Sequence, residues 1–197
     1  MNAHGDGTPS DWITRWTPRL DTATDAPRTA LDLACGRGRH SRWLQQAGWQ
    51  VTALDRDAEA LSHLPTECEQ LCADIEGGPW PLEGRQFGLV VVTNYLWRPL
   101  WPQLMSAVAP GGWLLYETFS AGNASVGRPA RPDFLLEPGE LLTRCAAWQV
   151  LGYECGYLDA PARFVQRIAA RRPLESLSPE SAAPVRNALP EWPSGRG

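Results

Sequence analysis

The sequence ALDLACGRG, at residues 30–38, decides the fold of this chain. Its first five residues form a short, largely apolar run that predicts a buried strand, and CGRG then predicts a tight turn that opens a helix at Arg39. Glycines in such a turn let the backbone approach a ligand without a Cβ in the way. The stretch therefore predicts a ligand site at the carboxyl end of a strand.

Strands and helices alternate along the rest of the chain. Strands are also predicted at 49–54, 69–73, 87–93, 113–118, 149–157 and 163–170, and helices at 11–20, 39–47, 57–64, 100–108 and 137–147. This alternation predicts an α/β fold with a mostly parallel sheet and helices on both faces. The run Phe87 to Thr93 is apolar and β-branched, as in a strand buried on both faces, so it predicts the central strand. The short link at 159–161 predicts a closing antiparallel hairpin.

The length of 197 residues suits one α/β domain. We expect an N-terminal helix and linker at 1–28, a ligand-binding domain at 29–172, and a proline-rich, loosely ordered tail at 173–197. The irregular segment 119–136 is too long for a routine connection. Its glycines and prolines lead to the hypothesis that it folds over the ligand as a lid.

Composition excludes several function classes. A net charge of −4 gives no general attraction to nucleic-acid phosphates, so a small-molecule partner is expected. No apolar run approaches the ~18 residues of a membrane span, and residues 1–10 lack a signal-peptide pattern, which predicts a cytoplasmic location. The five scattered cysteines do not form a disulfide framework, and Cys68 and Cys72 lack a second pair with zinc spacing, so no metal is predicted.

Acidic and amide residues follow the predicted strands. Asp55 follows the second strand and can accept both hydroxyls of a ribose, and Asp74 follows the third and can accept from an adenine amino group while Ile75 packs on the ring. Asn94 follows the fourth strand. The competing interpretation is the dinucleotide fingerprint, but Asp32 before the turn is wrong for a pyrophosphate and suits a ligand with an ammonium and a sulfonium.

These motifs resemble those of the class I S-adenosylmethionine-dependent methyltransferases, over about residues 29–172. The matching stretches are LDLACGRG at 31–38, LD at 54–55, CADI at 72–75, VVVTNYL at 90–96 and APGGWLLYET at 109–118. Within that superfamily, FLLEPGELL at 134–142 and WQVLGYE at 148–154 are similar to the tellurite-resistance-type small-molecule methyltransferases. The resemblance implies a Rossmann-like three-layer sandwich with a seven-stranded sheet of order 3-2-1-4-5-7-6 and an antiparallel last strand.

The resemblance also implies S-adenosylmethionine as cofactor and S-adenosylhomocysteine as product. It places Asp32 and Gly36 near the methionine moiety, Asp55 on the ribose, and the Asn94 backbone near the methionine end. The residues predicted to bind the cofactor are Asp32, Ala34, Gly36, Gly38, Asp55, Arg56, Asp74, Ile75, Asn94, Tyr95 and Leu96.

Candidates for the acceptor site come from loops at the same sheet edge. The predicted acceptor-site residues are His40, Tyr95, Arg98, Glu117 and Arg128, with Trp97, Asn123 and Phe134 nearby. His40 titrates near neutrality unless it has a packing role, and Glu117 ends a buried strand, where a carboxylate must be paired or functional. The two arginines would hold an anionic substrate or lie solvated in loops. The Asn94-Tyr95-Leu96-Trp97 sequence departs from the Asn/Asp-Pro-Pro-aromatic motif, so methylation of amides or exocyclic amines is less expected.

Three functions remain open at this point. The favoured one is direct in-line methyl transfer to a thiol, a chalcogen oxyanion or a similar compact acceptor. The second is methylation of RNA or a protein side chain, with a local basic patch on the last strand formed by Arg163, Arg167, Arg171 and Arg172. The third is a non-catalytic module that binds S-adenosylmethionine.

Overall fold

A computed structural model describes residues 7–20 and 28–174. The helices in these ranges are α1 (Asp11–Trp16), α2 (Arg39–Gln46), α3 (Ala58–Leu61), α4 (Trp101–Ala107) and α5 (Glu140–Arg144). The strands are β1 (Thr29–Leu33), β2 (Gln50–Asp55), β3 (Glu69–Cys72), β4 (Phe87–Thr93), β5 (Val108–Phe119), β6 (Gln149–Asp159) and β7 (Ala162–Arg171). The alternation of strands and helices is as predicted.

The strands form one mixed sheet in the order β3-β2-β1-β4-β5-β7-β6. The β1, β2, β3, β4 and β5 pairings are parallel, whereas β7 runs antiparallel to both β5 and β6. The predicted fold class, strand order and antiparallel last strand are therefore confirmed. The chain order reverses between β1 and β4, and ligands bind open α/β sheets at such a switch point, beyond the carboxyl ends of the strands.

Two apolar clusters fill the two faces of the sheet. Leu44 of α2 and Leu61 of α3 belong to one cluster, and Leu104 of α4 and Leu141 of α5 belong to the other. All seven residues of β4 are buried between these layers. Burial on both faces explains why its sequence is continuously apolar rather than alternating.

The N-terminal helix α1 packs on the same face as α2. Its cap is the Ser10 side chain, which accepts from the Trp12 backbone N–H, and the Trp12 indole N–H donates to the Ile168 carbonyl (3.1 Å). The helix ends at Trp16, before a 3₁₀ turn over Thr17–Arg19. Of the described helices, none has both the length and the apolar character needed to span a bilayer.

The predicted linker and tail fall largely outside the described residues, at 21–27 and 175–197, as do residues 1–6 of the N-terminal region. The division of the chain into three parts therefore stays a prediction.

Helices α1 and α3 end earlier than predicted, at Trp16 and Leu61, and two other elements begin well away from their predicted first residues. Strand β5 begins at Val108, five residues early, because Val108 pairs with Phe87 and the main chain of Gly112 then accepts from Arg172 (2.9 Å). Helix α5 begins only after Gly139, whose φ of 74° is left-handed and stops the helix from extending back to residue 137.

Candidate functional site

The turn after β1 is held in a conformation that favours glycine. Gly36 and Gly38 have φ values of 54° and 72°, and a Cβ on Gly38 would lie 2.7 Å from Leu64 Cγ. Ala34 also has a positive φ of 54°, as does Asn94 after β4. Strained non-glycine residues of this kind concentrate at functional sites, and these two flank the switch point.

Asp55 fastens this turn to the end of β2. Its Oδ2 accepts from the Gly36 backbone N–H (2.8 Å), and its Oδ1 accepts from the Asp57 N–H (3.0 Å). Each oxygen has a second lone pair. The carboxylate therefore positions the turn and can still accept from the hydroxyls of a ligand.

A cavity of about 170 Å³ opens beside Asp55, and we call it the cofactor cavity. It is lined by Ala34, Leu54, Asp55, Arg56, Ala73, Asp74, Ile75, Glu76 and Tyr95. The structure thus brings together six of the residues predicted to bind the cofactor. Asp74 accepts from the N–H groups of Glu76 (3.0 Å) and Gly77 (3.2 Å), which holds the pKa of its carboxyl below the usual range.

Asp32 lies below this cavity rather than on it. Its side chain is fully buried, and its Oδ2 accepts from the Ser41 hydroxyl (2.6 Å). Burial raises the pKa of Asp32 to about 6, and the bond from Ser41 partly offsets that rise. The carboxyl therefore anchors α2 to β1, a different place from the methionine contact implied by the resemblance.

A second cavity, of about 340 Å³, lies over the carboxyl ends of β4 and β5, and we call it the acceptor cavity. It is lined by Glu76, Asn94, Tyr95, Leu96, Thr118, Phe119, Arg128, Pro129 and Phe134. Asn94 and Leu96, predicted as cofactor residues, lie here, together with the predicted acceptor residue Arg128. Glu76 and Tyr95 line both cavities, so the two spaces adjoin.

Tyr116 holds the backbone of Tyr95 in place. The Tyr116 hydroxyl donates to the Tyr95 carbonyl (2.7 Å), and Tyr116 itself stacks on Trp101 of α4. Burial, reinforced by the negative charge of Glu76, raises the pKa of Tyr95. The phenol is therefore neutral near pH 7 and can donate a hydrogen bond.

His40 lies inside the protein, away from both cavities. Its Nε2 accepts from the Ser10 N–H (3.1 Å), so in the neutral ring Nδ1 carries the proton and faces the Thr93 hydroxyl (3.3 Å). Burial, and then the charge of Arg39, lowers the pKa of His40 to about 3. This geometry corrects the expectation of an acceptor-site residue that titrates near neutrality, because the ring connects residue 10 to β4.

Arg98 also lies off the acceptor cavity. Its Nε and one terminal nitrogen bind the Glu140 carboxylate (3.0 and 2.7 Å), and the terminal nitrogens also donate to the carbonyls of Asp133 (3.0 Å) and Leu135 (2.8 Å). The guanidinium thus fastens segment 119–136 to α5. The predicted role of Arg98 as a substrate anchor is corrected, because its donors are engaged within the protein.

Glu117 is buried on the side of the sheet that α1 covers. Its Oε2 accepts from the Ser10 hydroxyl (3.0 Å) and from Arg167 (3.2 Å), so the expected pairing of this carboxylate is present. It lines neither cavity. The predicted basic patch is largely internal too, since Arg167 and Arg171 are buried.

Six lining residues were not predicted from the sequence: Leu54, Ala73, Glu76, Thr118, Phe119 and Pro129. Glu76 follows the Asp74-Ile75 motif directly, and Thr118 ends the fifth motif, so motif position was an available signal for both. No sequence pattern marks Pro129, whose carbonyl accepts from the Asn123 side chain (3.0 Å). Among the described residues, no group of His, Cys, Asp or Glu side chains is arranged to hold a metal ion.

Residues 30–112, which hold the glycine turn, the whole lining of the cofactor cavity and four of the nine residues that line the acceptor cavity, match the model of a family described as a methyltransferase domain. The chain contains a methyltransferase domain. The prediction of a class I methyltransferase is thereby confirmed in domain and fold. A search of curated protein sequences gave no match.

Solved structures resemble this methyltransferase domain at low identity. TehB from Haemophilus influenzae superposes with a TM-score of 0.67 and 20% identity over 86% of this chain. This chain covers 64% of the TehB chain. An S-adenosylmethionine-dependent methyltransferase from Methanosarcina mazei superposes with a TM-score of 0.61 and 14% identity, and the match covers 86% of this chain and all of that one. The glycopeptide N-methyltransferase MtfA, solved with S-adenosylmethionine, superposes with a TM-score of 0.58 and 19% identity, and the match covers 87% of this chain and 96% of that one. At these identities the likeness establishes the fold.

Proposed function

We propose that this methyltransferase transfers the methyl group of S-adenosylmethionine to a compact small molecule. The observation that carries the proposal is the pair of adjoining cavities, which share Tyr95 and Glu76 at the carboxyl ends of the central strands. One cavity presents carboxylates and an isoleucine. The other presents aromatic walls, an amide and an arginine.

The cofactor cavity fits the adenosine part of S-adenosylmethionine. Asp55 would accept from the ribose hydroxyls, Asp74 would accept from the adenine amino group, and Ile75 would pack on the ring. When bound, the cofactor supplies a methyl group already activated on a sulfonium. The task left to the protein is therefore to align the acceptor, and alignment can contribute about 7–11 kcal/mol.

The acceptor cavity supports the choice of a small molecule. Its volume of about 340 Å³ is near the lower end of small-molecule sites, which span roughly 300–1,000 Å³. Phe119 and Phe134 form apolar walls, Arg128 can bind an anionic group, and neutral Tyr95 can donate a hydrogen bond. A thiol or an oxyanion of moderate size matches these groups better than a polymer does.

The internal position of the arginines on β7 further supports this choice over RNA. Nucleic-acid affinity depends on exposed cations that contact phosphates. Arg167 is buried and pairs with the partly exposed Glu154, and Arg171 is buried with its Nε donating to the Gly111 carbonyl (3.1 Å). We also propose a cytoplasmic location, which the five free cysteines support, because thiols persist in a reducing compartment.

The test uses two variants that add volume to one cavity each. Ala73→Leu fills the cofactor cavity, and Phe134→Trp fills the acceptor cavity. Ala73→Leu should raise the Kd for S-adenosylhomocysteine, while Phe134→Trp should leave that Kd unchanged and lower kcat/KM for the acceptors that a panel of thiols, phenols, amines and chalcogen oxyanions identifies. Wild-type protein that binds S-adenosylmethionine yet methylates no member of the panel would contradict the small-molecule assignment.

A further inference from the structure

A group of charged side chains lies on the face of β5 and β7 that α1 covers. Glu117 stands opposite Arg167 in the antiparallel register, and Arg167 in turn stands opposite Glu154 of β6. Arg167 donates to Glu117 Oε2 (3.2 Å) and, through Nε, to Glu154 (2.8 Å). The Arg167 guanidinium is thus engaged with these two carboxylates.

Arg163 belongs to the same group, but not all of its hydrogen-bond donors are engaged. Its nearest terminal nitrogen is 3.7 Å from Glu117 Oε1, which is an ion-pair distance beyond hydrogen-bond range. Its Nε has no hydrogen-bond acceptor within the part of the chain that the structure describes, and neither has Glu117 Oε1 a donor there. The side chain of Arg163 is 20% exposed, so part of its guanidinium can meet a ligand.

Arg39 supplies the second cation. It directly follows Gly38, and its guanidinium donates to the Thr8 carbonyl at a long 3.4 Å. Burial lowers the pKa of Arg39, the charge of Glu117 raises it in part, and the charge of Arg163 lowers it further. Thr8 lies two residues before Ser10, whose hydroxyl donates to Glu117 (3.0 Å), so Arg39 lies near the carboxylate that Arg163 also faces, in partly buried surroundings where unbalanced charge is costly.

This arginine pair, Arg39 and Arg163, adjoins the cofactor turn. Glu117 pairs in register with Thr93 of β4, and its carbonyl accepts from the Asn94 N–H (2.9 Å). Strand β4 lies between β1, which precedes the glycine turn, and β5, which carries Glu117. Neighbouring strands are about 4.8 Å apart, so the turn and Glu117 are only about two strand spacings apart. Asp32, the carboxylate expected at this end of the cofactor, is buried and bonded to Ser41.

We propose that Arg39 and Arg163 form a binding site for a small oxyanion, of which a carboxylate is the type. Guanidinium groups bind carboxylates through two parallel hydrogen bonds. Glu154 pairs with Arg167 and also with Arg15 (2.6 Å), and Arg163 faces the carboxylate of Glu117, which Arg167 shares. The group therefore carries a net positive charge, which favours an anion as its occupant.

The proposed function gives this oxyanion two sources. One is the carboxylate at the amino-acid end of S-adenosylmethionine, and the other is an anionic group of the acceptor. The identity of the occupant rests on the proposed function, whereas the anion site itself does not.

Two adenosine ligands and one free anion separate these sources. S-adenosylhomocysteine has the amino-acid carboxylate, and 5′-methylthioadenosine lacks it. Both are titrated calorimetrically into the wild type, Arg39→Gln and Arg163→Gln. Arg85→Gln is the matched control, because Arg85 pairs with Glu69 at the opposite edge of the sheet. Acetate binding is followed by thermal shift, with each adenosine ligand and without either.

If the cofactor is the source, both variants should bind S-adenosylhomocysteine on the order of 10- to 100-fold more weakly and bind 5′-methylthioadenosine as the wild type does. Acetate should then stabilise only wild-type protein that lacks S-adenosylhomocysteine. If the acceptor is the source, S-adenosylhomocysteine affinity should stay unchanged, and acetate should stabilise the complex in the wild type but in neither variant.

The proposal is overturned if both variants bind S-adenosylhomocysteine and acetate as Arg85→Gln does. Arg39→Gln keeps the inference testable if Arg163→Gln fails to fold, since Arg39 makes no hydrogen bond to Glu117. Wild-type protein that binds neither adenosine ligand would contradict the proposed function instead. The effect of acetate on that protein and on the two variants would then decide the anion site alone.

Discussion

Segment 119–136 should behave as a fixed wall of the acceptor cavity, because Arg98 fastens it. The perturbation is Arg98→Gln, which removes the bidentate contact with Glu140 and the bonds to two carbonyls of the segment. The Arg98 and Glu140 side chains are 30% and 10% exposed. A fully buried pair costs about 3–5 kcal/mol to break and an exposed pair about 0–1, so we expect a loss of about 2 kcal/mol here.

That loss should lower the Tm by about 4–8 °C for a domain of this size. The matched control is Arg131→Gln, since Arg131 lies in the same segment but its pair with Asp133 is about 70% exposed. The control should change stability by less than about 1 kcal/mol.

Calorimetry measures the two melting temperatures, and hydrogen exchange measures the local effect. The Ala121 amide, which donates to the Leu136 carbonyl (3.0 Å), should exchange faster in Arg98→Gln. The KM for the acceptor should rise, and the Kd for S-adenosylhomocysteine should not change. A variant with the melting temperature, exchange rate and KM of Arg131→Gln would refute the fixed wall and favour the predicted lid.

Three further predictions concern the turn and its surroundings. His40 should stay neutral in NMR spectra between pH 5 and 8, because burial lowers its pKa to about 3, and a midpoint near 6.5 would contradict this. Burial raises the pKa of Asp32 from 3.8 to about 6, so its contribution to stability is full below pH 3.8 and is lost as the pH rises through 6. Between pH 4 and 7, the unfolding free energy of Asp32→Asn should therefore gain about 3 kcal/mol relative to that of the wild type, measured by urea unfolding. Parallel pH curves for the two proteins would exclude the raised pKa. Gly38→Ala should destabilise the protein more than Gly36→Ala does. The left-handed backbone costs an alanine about 1–2 kcal/mol at either position, but only a Cβ at position 38 would contact Leu64. Equal unfolding free energies of the two variants would count against this packing.

The fold could be predicted because its signals are local. The apolar run of β4 and the glycine turn after β1 each lie within ten residues of sequence, and the short link at 159–161 joins an antiparallel pair as predicted. The late start of α5 was missed because the left-handed conformation of Gly139 depends on its surroundings. The early start of β5 was missed because its first pairing, with Phe87, is a tertiary contact.

Some positions in the candidate site could also be predicted from the sequence, and others could not. Asp55 and Asp74 were predicted since each follows a strand, and parallel strands bring their carboxyl ends to one edge. The positions of His40 and Arg98 could not be predicted, because their partners are distant in sequence: Ser10 lies 30 residues from His40, and Glu140 lies 42 from Arg98. Burial then decides the charge and availability of each side chain.

The central claim is that the edge formed by β1, β2 and β4 binds S-adenosylmethionine. Calorimetric titration of the wild type and Asp55→Ala with S-adenosylmethionine and with NAD tests it most directly. We expect saturable binding of S-adenosylmethionine and none of NAD, with the affinity reduced at least about tenfold in Asp55→Ala, because a charge-assisted hydrogen bond contributes about 1.5–3 kcal/mol. No binding of S-adenosylmethionine, or equal affinity in Asp55→Ala, would contradict it.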